Sequence, residues 1–428
     1  LVHVGLQGRH VAPGKTPPRN LVFLIDVSGS MGGELPLVVS SLATLTEQLG
    51  PKDTISIAVY AGAAGQVLPP TSGADKIAIL GALDRLEAGG STNGGEGIHL
   101  AYRMAQENFV EGGINRVILA TDGDFNVGVV GQPALVELIE AKRRTGVFLS
   151  ALGFGSGNFR DSTMEQLADK GNGNYAYIDG LAEAHKVLAE QAGSTLVTIA
   201  KDVKIQVEID PELVSSYRLV GYDNRRLADR DFDDDTKDAG EIGAGHTVTA
   251  LYEVVPKADA PAVGTVMALK LRYKQPDGDQ SLLVEVPIRD EGSALPETSD
   301  AFRFSAAVAS FGQALSRTPT KAKVDSLEDI RDLAADARGA DRHCRRLELV
   351  RLIETASALR DQRIEPRRIS CTPSSEPATV VYAEPLTVAD GSDEAPFDWG
   401  RFVIEVLYAL PPLLAFPLFF MALRRRRR

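Results

Sequence analysis

The sequence predicts an α/β protein. A doubly wound, mostly parallel sheet comes first, then an antiparallel β-sandwich module, a short helical region and a C-terminal transmembrane helix. Three observations carry this reading. From Leu21 to about Leu196, short apolar runs alternate with longer stretches of helical periodicity, the rhythm of a parallel sheet with helices on both faces. From Lys201 the period drops to two: Val203, Ile205, Val207 and Ile209 alternate with Lys204, Gln206 and Glu208. Finally, Phe402 to Leu423 is a 22-residue stretch, apolar except for Glu405, followed by five arginines.

Residues 1–17 read as an N-terminal strand and linker, since Val2, Val4 and Leu6 alternate with His3, Gly5 and Gln7. This strand is expected to cross over and pair with the later β-module. Residues 18–197 form the parallel domain, with strands expected at 20–26, 54–60, 65–69, 115–121, 147–153 and 174–178. Its helices are expected at 34–49, 73–87, 95–109, 133–144, 161–169 and 180–194. Residues 198–292 form the sandwich module, with a hairpin turn at Gln275-Pro276-Asp277-Gly278-Asp279. Residues 298–363 form the helical region. Residues 364–400, rich in proline, serine and acids, read as a flexible linker. A helix over 402–423 would be roughly 33 Å long, enough for a bilayer. The terminal arginines at 424–428 would stay cytoplasmic and place the body on the periplasmic or extracellular side. Pro411, Pro412 and Pro417 argue against such a span.

The chemistry concentrates in three loops. Asp26-Val27-Ser28-Gly29-Ser30 follows the apolar run Leu21 to Ile25 and precedes a helix. It sets a carboxylate and two hydroxyls at the carboxyl end of a buried strand, where open α/β sheets bind ligands. Gly90-Ser91-Thr92-Asn93-Gly94-Gly95 offers Thr92 before a second helix, and Thr121-Asp122-Gly123-Asp124 offers Asp122 after another strand. Oxygen-only donors suit hard cations such as Mg²⁺ or Ca²⁺ rather than zinc. Taken singly, each piece is also an ordinary helix cap or turn.

In this order, these residues resemble the metal-ion-dependent adhesion site of von Willebrand factor type A domains. The resemblance covers somewhat under half the chain and matches Asp26, Ser28, Ser30, Thr92 and Asp122. It implies the doubly wound fold and one divalent cation, Mg²⁺ first, with Ca²⁺ or Mn²⁺ as alternatives. It also implies a protein partner that presents Asp or Glu to an open coordination position. The stretch Asp238 to His246 resembles one found in bacterial type A proteins with such a C-terminal extension.

Composition narrows the field further. The 428-residue chain carries a net charge of −12, and −17 without its terminal arginines, which argues against nucleic acid. A nucleotide is not expected. Gly8 to Thr16 has one residue too many for a phosphate-binding loop, and Gly153 to Gly157 is one short of the dinucleotide pattern. The acidic run Asp229 to Asp238 places neither the glycine nor the glutamate of an EF-hand, so it reads as a solvated loop, with an irregular Ca²⁺ site as the alternative. Cys344 and Cys371 read as unpaired thiols, with one disulfide as the alternative. The chain begins with Leu1, so a preceding signal peptide stays open.

The expected function is metal-dependent protein binding at a bacterial cell envelope, without catalysis. One alternative is a Mg²⁺-dependent hydrolase or phosphatase using Asp26 or Asp124, which would want a nearby cation such as Arg116 or a base such as His99. The other is a structural scaffold whose metal only stabilises the fold.

Overall fold

Strand β2, Arg19–Asp26, is buried along nearly its whole length, as a run of strand-forming apolar residues requires in the middle of a parallel sheet. In the computed structural model the described residues are 1–8, 16–91, 93–123, 132–155, 159–191, 197–221, 227–237, 239–260, 264–276, 278–290, 292–316, 326–360, 364–371 and 402–408. Around β2 lie β3, Thr54–Tyr60, β4, Ala64–Ser72, β5, Ile114–Thr121, β6, Val147–Gly153, and β7, Tyr175–Tyr177. They form one six-stranded sheet in the order β4-β3-β2-β5-β6-β7. All neighbours are parallel except β3 and β4.

Successive side chains of a strand face opposite sides, and this sheet packs helices on both. Leu21, Phe23 and Ile25 join the cluster containing Leu35, Val38, Leu42 and Leu45 of α1, Leu35–Glu47, and Ile79 and Leu83 of α2, Lys76–Leu83. Val22 and Leu24 face the other way, onto α3, Gly94–Glu107, α4, Gln132–Arg143, and α5, Asp161–Lys170. Hydroxyl residues on the buried face of α1 cost little, because Ser41 and Thr46 donate back to Leu37 O and Leu42 O. The last helix, α6, Leu181–His185, continues into a π-helical turn, Lys186–Glu190.

The remainder of the β-structure is antiparallel. It comprises β1, Val2–Gly8, β8, Thr198–Ile209, β9, Val214–Val220, β10, Gly240–Gly243, β11, Thr247–Pro256, β12, Gly264–Lys274, β13, Ser281–Asp290, and β14, Phe402–Tyr408. Two four-stranded sheets result, ordered β14-β1-β11-β9 and β10-β8-β12-β13. β1 pairs with β11 from Val2 opposite Tyr252 to Gln7 opposite Thr247. The inward residues of these sheets, among them Val4, Ile199, Leu269 and Ile288, share one cluster with α1 and β2.

The C-terminal expectation is corrected. Phe402–Tyr408 is a strand pairing antiparallel with β1, not the start of a helix. Its run of Phe, Val, Ile, Val, Leu and Tyr favours the pleat, and an open edge of β1 supplies the hydrogen bonds. Among the described residues no helix is long and apolar enough to cross a membrane. Residues 409–428 lie outside the described residues.

Helices α7, Asp300–Leu315, α8, Leu327–Asp336, and α9, Arg345–Leu359, form a third small core around Phe311, Ile330 and Ile353. Serines cap α7 and α8, where Ser299 accepts from Phe302 N and Ser326 from Asp329 N. The thiol expectation is also corrected: Cys344 and Cys371 form a disulfide. Residues 364–371, expected as the start of a flexible linker, are tied down. Arg367 bridges Asp332 and Asp336, and Arg351 donates to Ile369 O at 3.1 Å.

The acidic run is occupied by the protein's own cations. Lys204 donates to Asp231 O and Asp234 O, Lys274 to Asp235 O, and Arg272 to the Asp235 carboxylate. With these partners in place, the described part of the loop leaves no cluster of acids for Ca²⁺.

Candidate metal centre

Asp26 ends β2 at the carboxyl edge of the parallel sheet, and Asp122 follows the end of neighbouring β5. Adjacent parallel strands that stop together bring their terminal side chains together. Asp26 is fully buried and Asp122 nearly so, at 0% and 2% exposure. Asp26 Oδ1 accepts from Ser28 N at 2.9 Å, which curls the loop and brings the hydroxyls round. Ser28 Oγ and Ser30 Oγ then lie 3.2 Å apart.

Neighbouring segments hold this loop by its backbone. Val27 N donates to Tyr60 O at 3.0 Å, Gly29 N to Gly90 O at 3.1 Å, and Gly89 N to Val27 O at 2.7 Å. Asn93 N donates to Ala61 O at 2.6 Å. The loop that carries Thr92 is therefore stitched to the first loop ahead of that residue and to the β3–β4 turn just after it. Thr92 itself lies outside the described residues, as does Asp124. After Asp122, Gly123 takes φ +81°, and a Cβ there would stand 3.2 Å from Arg160 O, so the position accepts little besides glycine.

Two residues escaped the sequence reading. Thr121 Oγ1 donates to Asp26 Oδ2 at 2.7 Å and accepts from Gly123 N at 3.1 Å. Tyr60, opposite Asp26 in the β2–β3 register, is wholly buried, and its hydroxyl lies close enough to Asp26 to feel that charge. Thr121 stands inside the motif already noted, so its strand-end position beside Asp122 was a usable signal. Tyr60 offered none beyond ending a strand.

Burial pushes the Asp26 carboxyl above the ordinary range; the Ser28 and Thr121 hydrogen bonds oppose this, and the Asp122 charge adds to it. The Tyr60 hydroxyl is pushed well up by the same burial and by the Asp26 charge. The groups that act most strongly on Asp26 are Ser28, Thr121 and the Asp122 charge, with no cation among them. Two buried carboxylates that repel one another, with two hydroxyls converging beside them, fit a hard divalent cation. No group of three His, Cys, Asp or Glu side chains clusters for a metal among the described residues. A set of two carboxylates plus hydroxyls needs no such cluster.

Neither Arg116 nor His99, the cation and base named for a hydrolase, stands in one of the three loops. Arg116 lies near the amino end of β5, six residues before Asp122, so roughly 20 Å separate them along the strand. It is buried there, donating to Ser150 Oγ at 2.6 Å and Thr198 Oγ1 at 3.1 Å. His99 sits within α3, six residues past Asn93.

The model for the von Willebrand factor type A domain matches residues 20–190. A second model, "Uncharacterized protein YfbK, C-terminal", matches residues 194–265 and 257–359. The chain is 42% identical over 364 residues to Uncharacterized protein YfbK of Escherichia coli K12, covering 81% of this chain and 63% of that protein. It is 29% identical over 149 residues to human inter-alpha-trypsin inhibitor heavy chain H4, covering 33% of this chain and 16% of the other. The chain thus spans under two thirds of the length of these curated relatives. Among solved structures, a von Willebrand factor type A protein from Catenulispora acidiphila aligns at 17% identity and TM-score 0.45, covering 82% of this chain and 89% of that one. BatB from Bacteroides thetaiotaomicron aligns at 23% identity and TM-score 0.35, covering 40% of this chain and 96% of that one. Residues 20–190 are a von Willebrand factor type A domain, joined to a C-terminal domain of the YfbK kind.

Proposed function

We propose that the protein binds another protein through a divalent cation held at the carboxyl edge of its parallel sheet. The buried pair Asp26 and Asp122, with the Ser28 and Ser30 hydroxyls 3.2 Å apart, is the observation that carries this reading. Asp26, Ser28 and Ser30 would hold the ion, with Thr92 and Asp122 completing the set. Mg²⁺ is the first choice, and Ca²⁺ and Mn²⁺ share its preference for oxygen. Bound there, the ion would supply an open coordination position for a carboxylate of the partner. Few protein carboxylates touch it, so it keeps enough positive character to attract one more. Type A domains often mediate protein–protein interaction and adhesion, which supports the same reading.

The site of action we propose is an oxidising compartment outside the cytoplasm. The Cys344–Cys371 disulfide supports this, because cytosolic thiols are kept reduced.

Calorimetric titration of the full chain with MgCl₂ tests the metal site, and a pull-down from membrane extracts with and without chelator tests capture. The expectation is a single Mg²⁺ site, lost in Asp26→Ala, and captured proteins released by chelator. Normal capture by a folded Asp26→Ala variant would overturn the reading.

A further inference from the structure

Two contacts of opposite chemistry tie the helical region to the rest of the chain. Its own core, around Phe311, Ile330 and Ile353, is separate from the cluster that joins the parallel domain to the sandwich. At the first contact α7 lies against β1. Val2, Val4 and Leu6 point into the sandwich, so His3 between them points out of it. His3 is only 6% exposed, and Phe302 of α7 is wholly buried. The two rings meet edge to face, with centroids 6.0 Å apart. His3 Nε2 lies 3.5 Å from Ser305 Oγ, and Nδ1 has no hydrogen-bond partner among the described residues.

At the second contact Glu190, at the end of the parallel domain, faces the start of α9. Its Oε2 accepts from Arg345 Nη2 at 2.5 Å. Its Oε1 lies 3.7 Å from His343 Nδ1 and 3.2 Å from His185 Nδ1.

Acid acts on these contacts in opposite senses. An imidazolium at His3 is a buried charge with no acid to meet it. Leu251 of β11 and Leu407 of β14 stand opposite His3 in register. Glu253, two residues along β11, accepts from Arg218 Nε at 2.6 Å. On α7, Arg303 donates to Pro296 O, Thr298 O and the Asp300 carboxylate. The Leu1 amine titrates nearby; burial lowers it to about 6 against the charges of Glu253 and Asp290. Burial also lowers the His3 pKa, so the released form takes the proton first as pH falls. Seating of α7 is therefore complete above about pH 7 and weakens below about 6.5, by at most about tenfold per pH unit. Burial raises the Glu190 pKa, but Arg345 above all, with His343 and His185, holds it below the ordinary range. A proton on either of these histidines meets the Glu190 carboxylate, so acid does not open that contact.

We propose that His3 is an acid-sensitive latch. Neutral, it seats α7 on the outer face of the sandwich. Protonated, it frees that end of the helical region, which stays tethered at Glu190.

Spin labels on Ser216→Cys in β9 and Gly312→Cys in α7, both exposed, read the distance between sandwich and helical region in the full chain. One distance is expected at pH 7.5. A second population should grow several-fold as pH falls to 5.0, by no more than about tenfold per pH unit, and vanish on return to pH 7.5. His3→Phe keeps a ring against Phe302 and takes no proton, while the Leu1 amine is common to both chains. It should hold the single distance at pH 5.0. His3→Gln, also unable to gain a charge, repeats the test should phenylalanine not fit. Adding Glu190→Gln to the labelled wild type should broaden the released population. A single unchanged distance in the wild type down to pH 5.0, or the same release in both His3 variants, would overturn the latch. A released population unaltered by Glu190→Gln would overturn the tether.

Discussion

Thr121 Oγ1 donates a hydrogen bond of 2.7 Å to Asp26 Oδ2, from the end of one parallel strand to the end of its neighbour. With the Ser28 N–H on the other oxygen, it fixes the plane of the carboxylate that leads the proposed metal set. Groups that orient a ligand in this way typically contribute 10–100-fold to metal affinity. Thr121→Val keeps the shape and removes the donor. It should weaken Mg²⁺ binding about tenfold in calorimetric titration. Affinity equal to the wild type would show that the Thr121 hydroxyl plays no part in holding Asp26.

Gly97 lies in α3 where a Cβ would stand 2.8 Å from the Tyr60 side chain. Alanine in a helix interior normally gains up to about 1 kcal/mol over glycine. Here the clash decides the sign, because Tyr60 is wholly buried and has no space to yield. Gly97→Ala should destabilise by roughly 1–3 kcal/mol in urea unfolding. It should also weaken Mg²⁺ binding by displacing Tyr60 from Asp26. A stabilised variant would mean that Tyr60 moves freely.

Asp53 ties the start of β2 to the α1–β3 turn. Its carboxylate accepts from Arg19 Nε and Arg19 N, both at 3.0 Å, and from Gly50 N at 2.6 Å. Burial alone would raise its pKa, but the Arg19 and Gly50 hydrogen bonds and the Arg19 charge hold it below the ordinary range. Because the folded value is depressed, the unfolded chain binds the proton first as pH falls. The contribution is therefore complete above about pH 5 and is lost through pH 4 and below. Asp53→Asn should cost on the order of 2 kcal/mol at pH 7. The gap to wild type should narrow as unfolding is followed from pH 5 to pH 3. A gap independent of pH would show that the charge of Asp53 is immaterial.

Arg116 joins the parallel sheet to β8 through Thr198, and the Glu241 charge of β10 acts on it. Burial lowers its pKa to about 10, with Glu241 opposing the shift. Removing one member of a buried charge pair strands the other, so Arg116→Met should cost about 3–5 kcal/mol. Arg116→Met with Glu241→Gln should recover more than half of that in chemical denaturation. Simple additivity of the two losses would show that the pair is not coupled.

The order of elements in the parallel domain could be read locally, because burial on one helix face or one strand face is written in neighbouring residues. Most strand limits in the parallel domain fall within a residue or two of expectation, β7 included, while β4 runs three residues past its expected end and β9 and β10 in the antiparallel part were not anticipated. β10 is four residues long and β9 is largely exposed, so neither carries a strong alternation. The stretch 402–408 shows the limit of such reading. Its apolar run suits a membrane helix or a strand equally, and the open edge of β1 settles it as a strand.

By itself, the sequence determined the strand–helix alternation and the three loops with Asp26, Ser28, Ser30, Thr92 and Asp122, since these follow from residue type and spacing. Only the tertiary structure decided that Tyr60 and Thr121 close on Asp26, that Cys344 meets Cys371, and that β1 and β14 share a sheet. Contacts between distant segments depend on which pairing buries the most apolar surface across the whole chain, and no local pattern records that sum.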